Sequence, residues 1–339
     1  MTSARRRELS IAFQSDKTPN EYRDLAALTE SYGFAVMSIY GDLFFQPPIV
    51  PLTLAALATS RIRLGPASLN PRTLHPVEIA GQIATLDMVS NGRAYLGLSR
   101  GAWLEEIGLE QRRLLTRMRE AIDVIEQLLR GERASYRGRE FQLEEHHALK
   151  YRPLRQRVPL LIGSWGELLV GLAGERADEA KIGGSANPDV VPVAARWIAS
   201  GAARASRDPA DIGLVLGAVT MVDQDRGLAR SLVRREMALY LPVVARLDPT
   251  VQIDPELTAR MASLVNMGQS EAAGELIADE LLDRFAFAGN PNDIIARCEA
   301  LFAAGVTRIE FGTPHGVTAE RGVRLLGERV LPALARWTR

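Results

Sequence analysis

Short apolar runs alternate with longer segments of helical periodicity along the chain. Continuous apolar runs bounded by polar residues or glycine are typical of strands that are buried on both faces of a parallel sheet. The pattern predicts eight such strands, at residues 9–13, 35–40, 62–65, 94–98, 160–162, 180–182, within 212–222, and at 306–311. Helical segments separate these strands, which indicates an α/β protein built from a repeating strand–helix unit.

Residues typical of helix ends mark several of the predicted helices. Thr18 and Glu21 predict a capping box at the start of the first helix, and Gly33 predicts its end. Asn290 precedes a proline and is predicted to cap another helix. Further helices are predicted at about residues 111–130 and at 319–337, and residues 228–284 are interpreted as a helical insertion.

Eight strand–helix units predict a closed (β/α)₈ TIM barrel, with residues 1–339 forming a single domain. The main alternative is a doubly wound sheet, which usually carries a glycine fingerprint after its first strand. Here residues 14–17 (QSDK) follow the first predicted strand and contain no glycine, so the sequence favours the barrel.

The composition excludes several classes of protein. Forty-one basic residues balance forty-one acidic ones, whereas a nucleic-acid-binding protein usually has a basic excess. A single cysteine, Cys298, excludes an internal disulfide. The apolar stretch at residues 49–58 is too short to span a bilayer, and Arg5-Arg6-Arg7 is followed by a strand-like run rather than a signal-peptide core. We therefore expect a cytoplasmic protein that acts without nucleic acid or membrane.

In a barrel of this kind the active site lies in the loops that follow the strands. These loops contain glycines, aromatic residues and few titratable groups, and the chain has no HExxH, GxSxG or Walker motif. This pattern is typical of a site whose chemistry is supplied by an organic cofactor, and no metal is expected. The loop at residues 163–166 (GSWG) is either a tight turn or a phosphate site at a helix start.

Seven short motifs together resemble those of a known family. They are SIAF at 10–13, LAALA at 54–58, RIRLGP at 61–66, ATLD at 84–87, SNGRAYLG at 90–97, IGS at 162–164 and IEFGTP at 309–314. In this combination they resemble the motifs of the bacterial-luciferase-like barrels. Within this superfamily the chain most resembles the deazaflavin-dependent methylenetetrahydromethanopterin reductases, over about residues 10–330.

The resemblance implies a cofactor and the residues that hold it. The cofactor would be coenzyme F420, or FMN as in flavin-using relatives. A non-proline cis peptide would map to Ala67–Ser68 and support the ring, and the cofactor phosphate would lie on residues 163–166. The implied cofactor contacts are Gly65, Ala67, Ser68, Ser99, Arg100, Gly101, Gly163, Ser164, Trp165 and Gly166.

The chain departs from these relatives at their acid–base positions. Ala12 and Ala102 stand where relatives carry glutamates, and Gly41-Asp42 stands where many carry Asp-His. The remaining candidates for proton donor are Asp42, Tyr40 and His315, and ordered water is an alternative. Asp42 could instead be a solvated loop carboxylate, and Tyr40 a packing residue. Gln14, His75 and Trp103 are candidate substrate contacts, with helix capping as the alternative for His75 and core packing for Trp103.

The sequence therefore predicts an F420-dependent reductase. It would deliver a hydride to an activated C=N or C=C bond of a small molecule or peptide, such as a methylene-tetrahydropterin or a dehydroamino acid. Two alternatives remain: an FMN-dependent luciferase-like monooxygenase, and a non-catalytic flavin-binding barrel. The family resemblance also implies a homodimer.

Overall fold

The computed structural model describes residues 7–338, so Arg5 and Arg6 of the N-terminal basic run lie outside the described residues. Its strands are β1 (Glu8–Phe13), β2 (Val36–Ile39), β3 (Arg63–Pro66), β4 (Leu96–Ser99), β5 (Tyr136–Arg137), β6 (Gln142–Leu143), β7 (Leu160–Gly163), β8 (Glu179–Gly183), β9 (Gly213–Val222), β10 (Ala286–Gly289) and β11 (Arg308–His315). All eight predicted strands are present, at the predicted positions to within a few residues.

Eight of these strands form a parallel barrel. Their order is β3-β2-β1-β11-β9-β8-β7-β4, and every pair along this path is parallel. The bridges Leu64–Ala94 and Leu69–Leu98 join the two ends of the path next to β3 and β4, which closes the barrel. The predicted (β/α)₈ barrel is therefore confirmed.

Helices cover the outside of the barrel. They are α1 (Pro19–Tyr32), α2 (Ile49–Ala58), α3 (Pro76–Val89), α4 (Leu114–Arg130), α5 (Glu167–Arg176), α6 (Val191–Arg204), α7 (Arg226–Leu247), α8 (Pro255–Asn266), α9 (Ser270–Glu275), α10 (Asp279–Phe285), α11 (Pro291–Ala304), α12 (Ala319–Leu325), α13 (Leu331–Ala333) and α14 (Ala335–Thr338). No helix among residues 7–338 is long and apolar enough to cross a membrane.

The predicted helix caps form as expected. The Thr18 side chain accepts a bond from the Glu21 backbone N–H, and the Glu21 carboxylate accepts one from the Thr18 N–H at 2.8 Å. Gly33 ends α1 with φ 86°, a left-handed conformation that glycine adopts without steric cost. Asn290 and Asp293 form a second capping box, at the start of α11.

Three parts of the fold differ from the sequence prediction. The segment after α4 contains the antiparallel hairpin β5–β6, and β10 adds a ninth strand beside the end of β9. The predicted continuous helix at 319–337 is wrong, because α12 passes into a π-helical turn at Leu326–Val330 and two short helices follow. Pro332 cannot donate a backbone hydrogen bond within a helix, which explains part of this break.

The helical insertion α7–α10 leans over the carboxyl end of the barrel, which we call the mouth. It has its own apolar cluster, which includes Met237, Leu241 and Phe285. Two contacts tie α7 to the strand-end loops. The ring centroids of Tyr240 and Trp103 lie 6.4 Å apart. Val244 packs so closely against Gly184 that a Cβ on this glycine would lie 2.7 Å from it. The insertion therefore forms one wall of the mouth.

Candidate functional site

The loops after β3 and β4 form one wall of the mouth, which we call the Ser68–Ser99 wall. The Ala67–Ser68 peptide is cis, as the family resemblance implied. The Ser68 hydroxyl donates to the Ser99 hydroxyl at 2.5 Å, and the Gly101 N–H donates to the same Ser99 oxygen at 3.2 Å. These hydrogen bonds bring together residues of two loops that were predicted separately to contact the cofactor.

Glycines allow the loops of this wall to approach closely. A Cβ on Gly41 would overlap the Ser68 carbonyl oxygen, and a Cβ on Gly97 would overlap the Pro66 carbonyl oxygen. Any larger residue at either position would push the Ala67–Ser68 segment away from its neighbours. Gly41 was recognised in the sequence only as a departure from the family pattern, and its packing role was missed.

The loop after β7 forms an open cradle. The Ser164 N–H donates to the Lys181 carbonyl at 3.0 Å, and the Trp165 indole N–H donates to the Gly183 carbonyl at 2.8 Å, so the loop is anchored to β8. Gly166 caps α5 with φ 92° and has no side-chain cap bond. A Cβ on Gly166 or Gly183 would meet no described atom within 4 Å. The uncapped start of α5 therefore faces open space, which suits an anion such as a phosphate.

Asp42 lies at the mouth within reach of Gln14 and Lys181. Its side chain is solvent-exposed, yet the surrounding walls displace enough water for desolvation to raise its pKa. A hydrogen bond from Gln14 and the positive charge of Lys181 oppose this shift without cancelling it. An aspartic acid that keeps its proton to higher pH than usual is suited to donate that proton.

Two tyrosines lie close enough to Asp42 to feel its charge. Burial, followed by the charges of Glu310 and Asp42, raises the pKa of Tyr40 well above its usual value, so this phenol stays neutral. Desolvation and the Asp42 charge also raise the pKa of Tyr240, which comes from α7. Sequence reasoning missed Tyr240, because nothing in the helical insertion indicated which of its faces would meet the mouth.

A buried ionic network lies beneath this cluster, inside the barrel. The Lys181 ammonium pairs with Glu310, whose other carboxylate oxygen accepts a bond from Ser38 at 2.7 Å. Arg308 also reaches Glu310, at 3.4 Å, and binds Glu179 through two nitrogens at 2.6 and 3.0 Å. Burial alone would raise the pKa of Glu310, but Lys181 and Arg308 outweigh it and the net shift is downward.

Sequence reasoning also missed this network. A signal was available, because Lys181, Arg308 and Glu310 are charged residues in otherwise apolar predicted strands. Charged residues are almost never fully buried unless they are paired. The position of Lys181 also bears on the site, since its ammonium lies 5.5 Å from the Tyr40 ring centroid.

His315 lies in the protein core rather than on the wall of the mouth. Its ring is completely buried, lies 4.8 Å from Phe13 between centroids, and contacts the Phe311 carbonyl at 3.3 Å. Among the described residues its Nδ1 has no hydrogen-bond partner. Burial lowers its pKa to about 4, so the imidazole is neutral near pH 7. The structure therefore does not bring His315 together with Asp42 as an exposed proton donor.

The buried His315 makes stability depend on pH. The pKa of His315 is about 4 in the folded protein and ~6.5 in the unfolded chain. Its contribution to the free energy of unfolding is therefore complete above pH ~6.5 and is lost as pH falls towards ~4. We expect the free energy of unfolding to fall by about 3 kcal/mol over this range from His315 alone. His315→Asn, which tolerates the positive φ of 75°, should flatten the curve in urea unfolding series. His147→Asn, at an exposed site, should leave the curve unchanged, and equal slopes for both variants would contradict the prediction.

The remaining predicted site residues lie at the edge of the mouth. His75 caps α3 by accepting a 3.3 Å bond from the Val77 N–H, so the capping interpretation is confirmed. Trp103 is partly exposed, with φ 55°, in a loop rather than on a helix face. The Arg100 side chain is exposed, and its carbonyl accepts a bond from Asn70 at 2.8 Å. Within residues 7–338, no group of three or more His, Cys, Asp or Glu residues could hold a metal ion.

Comparison with known proteins identifies the family. The family model described as luciferase-like monooxygenase matches residues 3–308. The chain belongs to the luciferase-like monooxygenase family. It is 31% identical to the 5,10-methylenetetrahydromethanopterin reductase of Archaeoglobus fulgidus over 337 residues, which cover 96% of this chain and 99% of the relative. It is 27% identical to an F420-dependent glucose-6-phosphate dehydrogenase of Nakamurella multipartita, covering 93% of both chains.

A solved structure extends this comparison within the luciferase-like family. The coenzyme F420-dependent tetrahydromethanopterin reductase of Methanopyrus kandleri superposes with a TM-score of 0.89 at 27% identity, covering 96% of this chain and 99% of the other. The similarity includes the helical insertion, because nearly the full length of both chains is matched. The luciferase-like fold implied by the sequence motifs is therefore confirmed.

Proposed function

We propose that the protein is an F420-dependent oxidoreductase that reduces an activated C=N or C=C bond. The observation that carries this proposal is the open cradle at residues 163–166, on the same rim as the Ser68–Ser99 wall. Together they offer an anion site and a wall of small residues, which is what a phosphate-bearing ring cofactor requires. The similarity to F420-dependent reductases over nearly the full chain supports a deazaflavin as that cofactor.

The residues of the mouth have separate tasks in this proposal. Gly163, Ser164 and Gly166 would hold the cofactor phosphate, and Ala67 and Ser68 would lie behind its ring. When bound in its reduced form, coenzyme F420 would supply a hydride to the substrate. The protein then has to exclude water from the reacting atoms and keep donor and acceptor in contact. Trp103 and Tyr240 lie across the mouth and are suited to that exclusion.

A proton must reach the substrate atom that does not receive the hydride. Asp42 is the group we assign to this step, because its pKa is raised and its side chain reaches solvent and substrate space. Gln14 lies close enough to lower the pKa of the carboxyl in part, and the neutral Tyr40 lies nearby. Asp42 would thus take over the proton transfer for which relatives carry glutamates, at the positions where this chain has Ala12 and Ala102.

A charge placed in the cradle tests its proposed role. Gly166→Asp puts a carboxylate where the cofactor phosphate would lie, and the repulsion should weaken F420 binding by about tenfold or more. The matched control is Gly131→Asp, because Gly131 also has positive φ and open space around it but lies at the carboxyl end of α4, at the opposite end of the barrel. Fluorescence titration measures both affinities. An unchanged affinity for Gly166→Asp would remove the cradle from the cofactor site.

Turnover experiments distinguish the candidate reactions. The purified protein is mixed with reduced F420 and either methylene-tetrahydromethanopterin or a dehydroamino-acid peptide, and reoxidation of the deazaflavin is followed by absorbance. We expect reoxidation that depends on the acceptor and consumes no oxygen. Oxygen consumption with reduced FMN would instead support a monooxygenase. Tight binding of cofactor without turnover of any acceptor would support the non-catalytic barrel.

A further inference from the structure

A second concave surface lies beside the mouth, between the loops after β3 and β4. It is a cleft of about 490 Å³, lined by Arg72, Arg112, Arg113, Arg117, Glu110 and Glu140. Four guanidinium groups face two carboxylates, which leaves an excess of two positive charges. The whole chain has no net charge, so this excess is a local feature. None of these arginines belongs to the cofactor or proton-transfer residues assigned above.

Both carboxylates of the cleft are already paired. Glu110 pairs with Arg112, and Glu140 pairs with Arg117 and lies 3.7 Å from Arg113. The Glu120 carboxylate accepts hydrogen bonds from the backbone N–H groups of residues 139–141 and so holds the segment that carries Glu140 in place. Structural packing therefore accounts for Arg117 and Glu140, but it does not account for Arg72 or Arg113.

Arg72 is the residue that points to a ligand. Its Nε atom is buried without a hydrogen-bond partner among residues 7–338. A buried donor without a partner is costly, and a guanidinium fork matches a carboxylate or phosphate group in geometry. Beside it, Arg113 is the N-cap residue of α4 and makes no side-chain cap bond, and the first turn of the helix has no acidic residue, so free N–H groups add to the positive potential.

The cleft is joined to the mouth by hydrogen bonds. The Asn70 side-chain oxygen accepts a hydrogen bond from the backbone N–H of Arg72, and its NH₂ group donates one to the Arg100 carbonyl, both at 2.8 Å. Gln111 donates to the Gly101 carbonyl at 3.4 Å. The same two loops therefore carry both the Ser68–Ser99 wall and the arginine cleft, so a single extended ligand could contact both.

We infer that this cleft is a subsite for an arm that bears several carboxylates or phosphates, on a ligand whose reacting end occupies the mouth. The inference rests on the proposed function only in taking the mouth as the place of reaction. The arm could belong to the cofactor or to the substrate, and both would be recognised by the same chemistry. Arg72 and Arg113 would be the principal contacts, because their guanidinium groups are the least occupied.

Two small anions test the cleft without any cofactor. Inorganic pyrophosphate and citrate are titrated calorimetrically into the wild type, Arg72→Gln, Arg113→Gln and the control Arg137→Gln, which removes an exposed arginine from the β5–β6 hairpin. We expect both probes to bind the wild type and the control, and each cleft variant to bind about tenfold more weakly. Thermal unfolding of each variant verifies that it is folded. Absence of probe binding to the wild type, or equal binding by Arg72→Gln, would overturn the inference.

The source of the arm follows from a second set of titrations. If saturating F420 displaces pyrophosphate and Arg72→Gln weakens F420 binding, the arm belongs to the cofactor. If pyrophosphate still binds in the presence of F420 and Arg72→Gln raises only the KM of the acceptor, the arm belongs to the substrate. If the protein binds the probes through Arg72 but does not bind F420, the cleft stands and the proposed function fails.

Discussion

Replacing Arg308 with methionine should lower the free energy of unfolding by about 3–5 kcal/mol. The Arg308 side chain is buried inside the barrel and bridges Glu179 on β8 and Glu310 on β11. Methionine has a similar length but no charge, so the two carboxylates would lose the guanidinium that joins them. A buried charge that loses a partner is far more costly than an exposed one. Urea unfolding followed by circular dichroism measures the change.

Two further variants make this stability prediction specific. Arg308→Lys keeps the charge but loses the two-nitrogen contact with Glu179, so its loss should be intermediate. Arg130→Met breaks an exposed pair with Glu132 and should cost about 1 kcal/mol or less. If Arg308→Met and Arg130→Met had equal effects, the network inside the barrel would not be an important source of stability.

Replacing Asp42 with asparagine should lower kcat by about a hundredfold or more, which is the usual contribution of a general acid. Asparagine keeps the size and the contact with Gln14 but has no proton to donate. In the wild type, activity should fall as pH rises through the elevated pKa of Asp42, since only the protonated carboxyl can act. The variant should lack this limb of the pH profile. Steady-state reoxidation of reduced F420 measures both quantities.

The control for Asp42 is a carboxylate that lies away from the mouth. Asp24→Asn changes an exposed residue of α1 in the same chemical way and should leave kcat and the pH profile unchanged. F420 affinity should be unaffected in both variants, because Asp42 is assigned to the substrate proton rather than to the cofactor. If Asp42→Asn kept the wild-type kcat, Asp42 would not be the proton donor, and Tyr40 or water would have to supply the proton.

The barrel could be predicted from the sequence because its strands are short apolar runs with marked ends. Thr18, Gly33 and Asn290 positioned helix ends correctly through local hydrogen bonding and backbone conformation. The missed elements have weak local signals: β5 and β6 have two residues each, and β10 follows α10 without a turn residue. Pairing with β9 makes residues Ala286–Gly289 a strand, and such a tertiary contact cannot be inferred from local periodicity.

The loops of the site could also be predicted, because a barrel assembles its site from the loops after its strands. The geometry within the site could not be predicted from the sequence. His315 follows the predicted eighth strand, but β11 continues through a register shift between Gly312 and His315, and the imidazole becomes buried. The pairing of Lys181 with Glu310 depends on β8 and β11 both neighbouring β9, which a single sequence does not reveal. The homodimer and the cytoplasmic location remain predictions.

The proposed function requires that the cradle and the Ser68–Ser99 wall bind a deazaflavin. The direct test is a titration of the purified protein with oxidised and reduced coenzyme F420, with FMN under the same conditions, for the wild type and Gly166→Asp. We expect tight F420 binding, weaker FMN binding, and loss of F420 affinity in the variant. Tight binding of FMN with no measurable binding of F420 would contradict the proposed reductase, and binding of neither would contradict the assigned cofactor site.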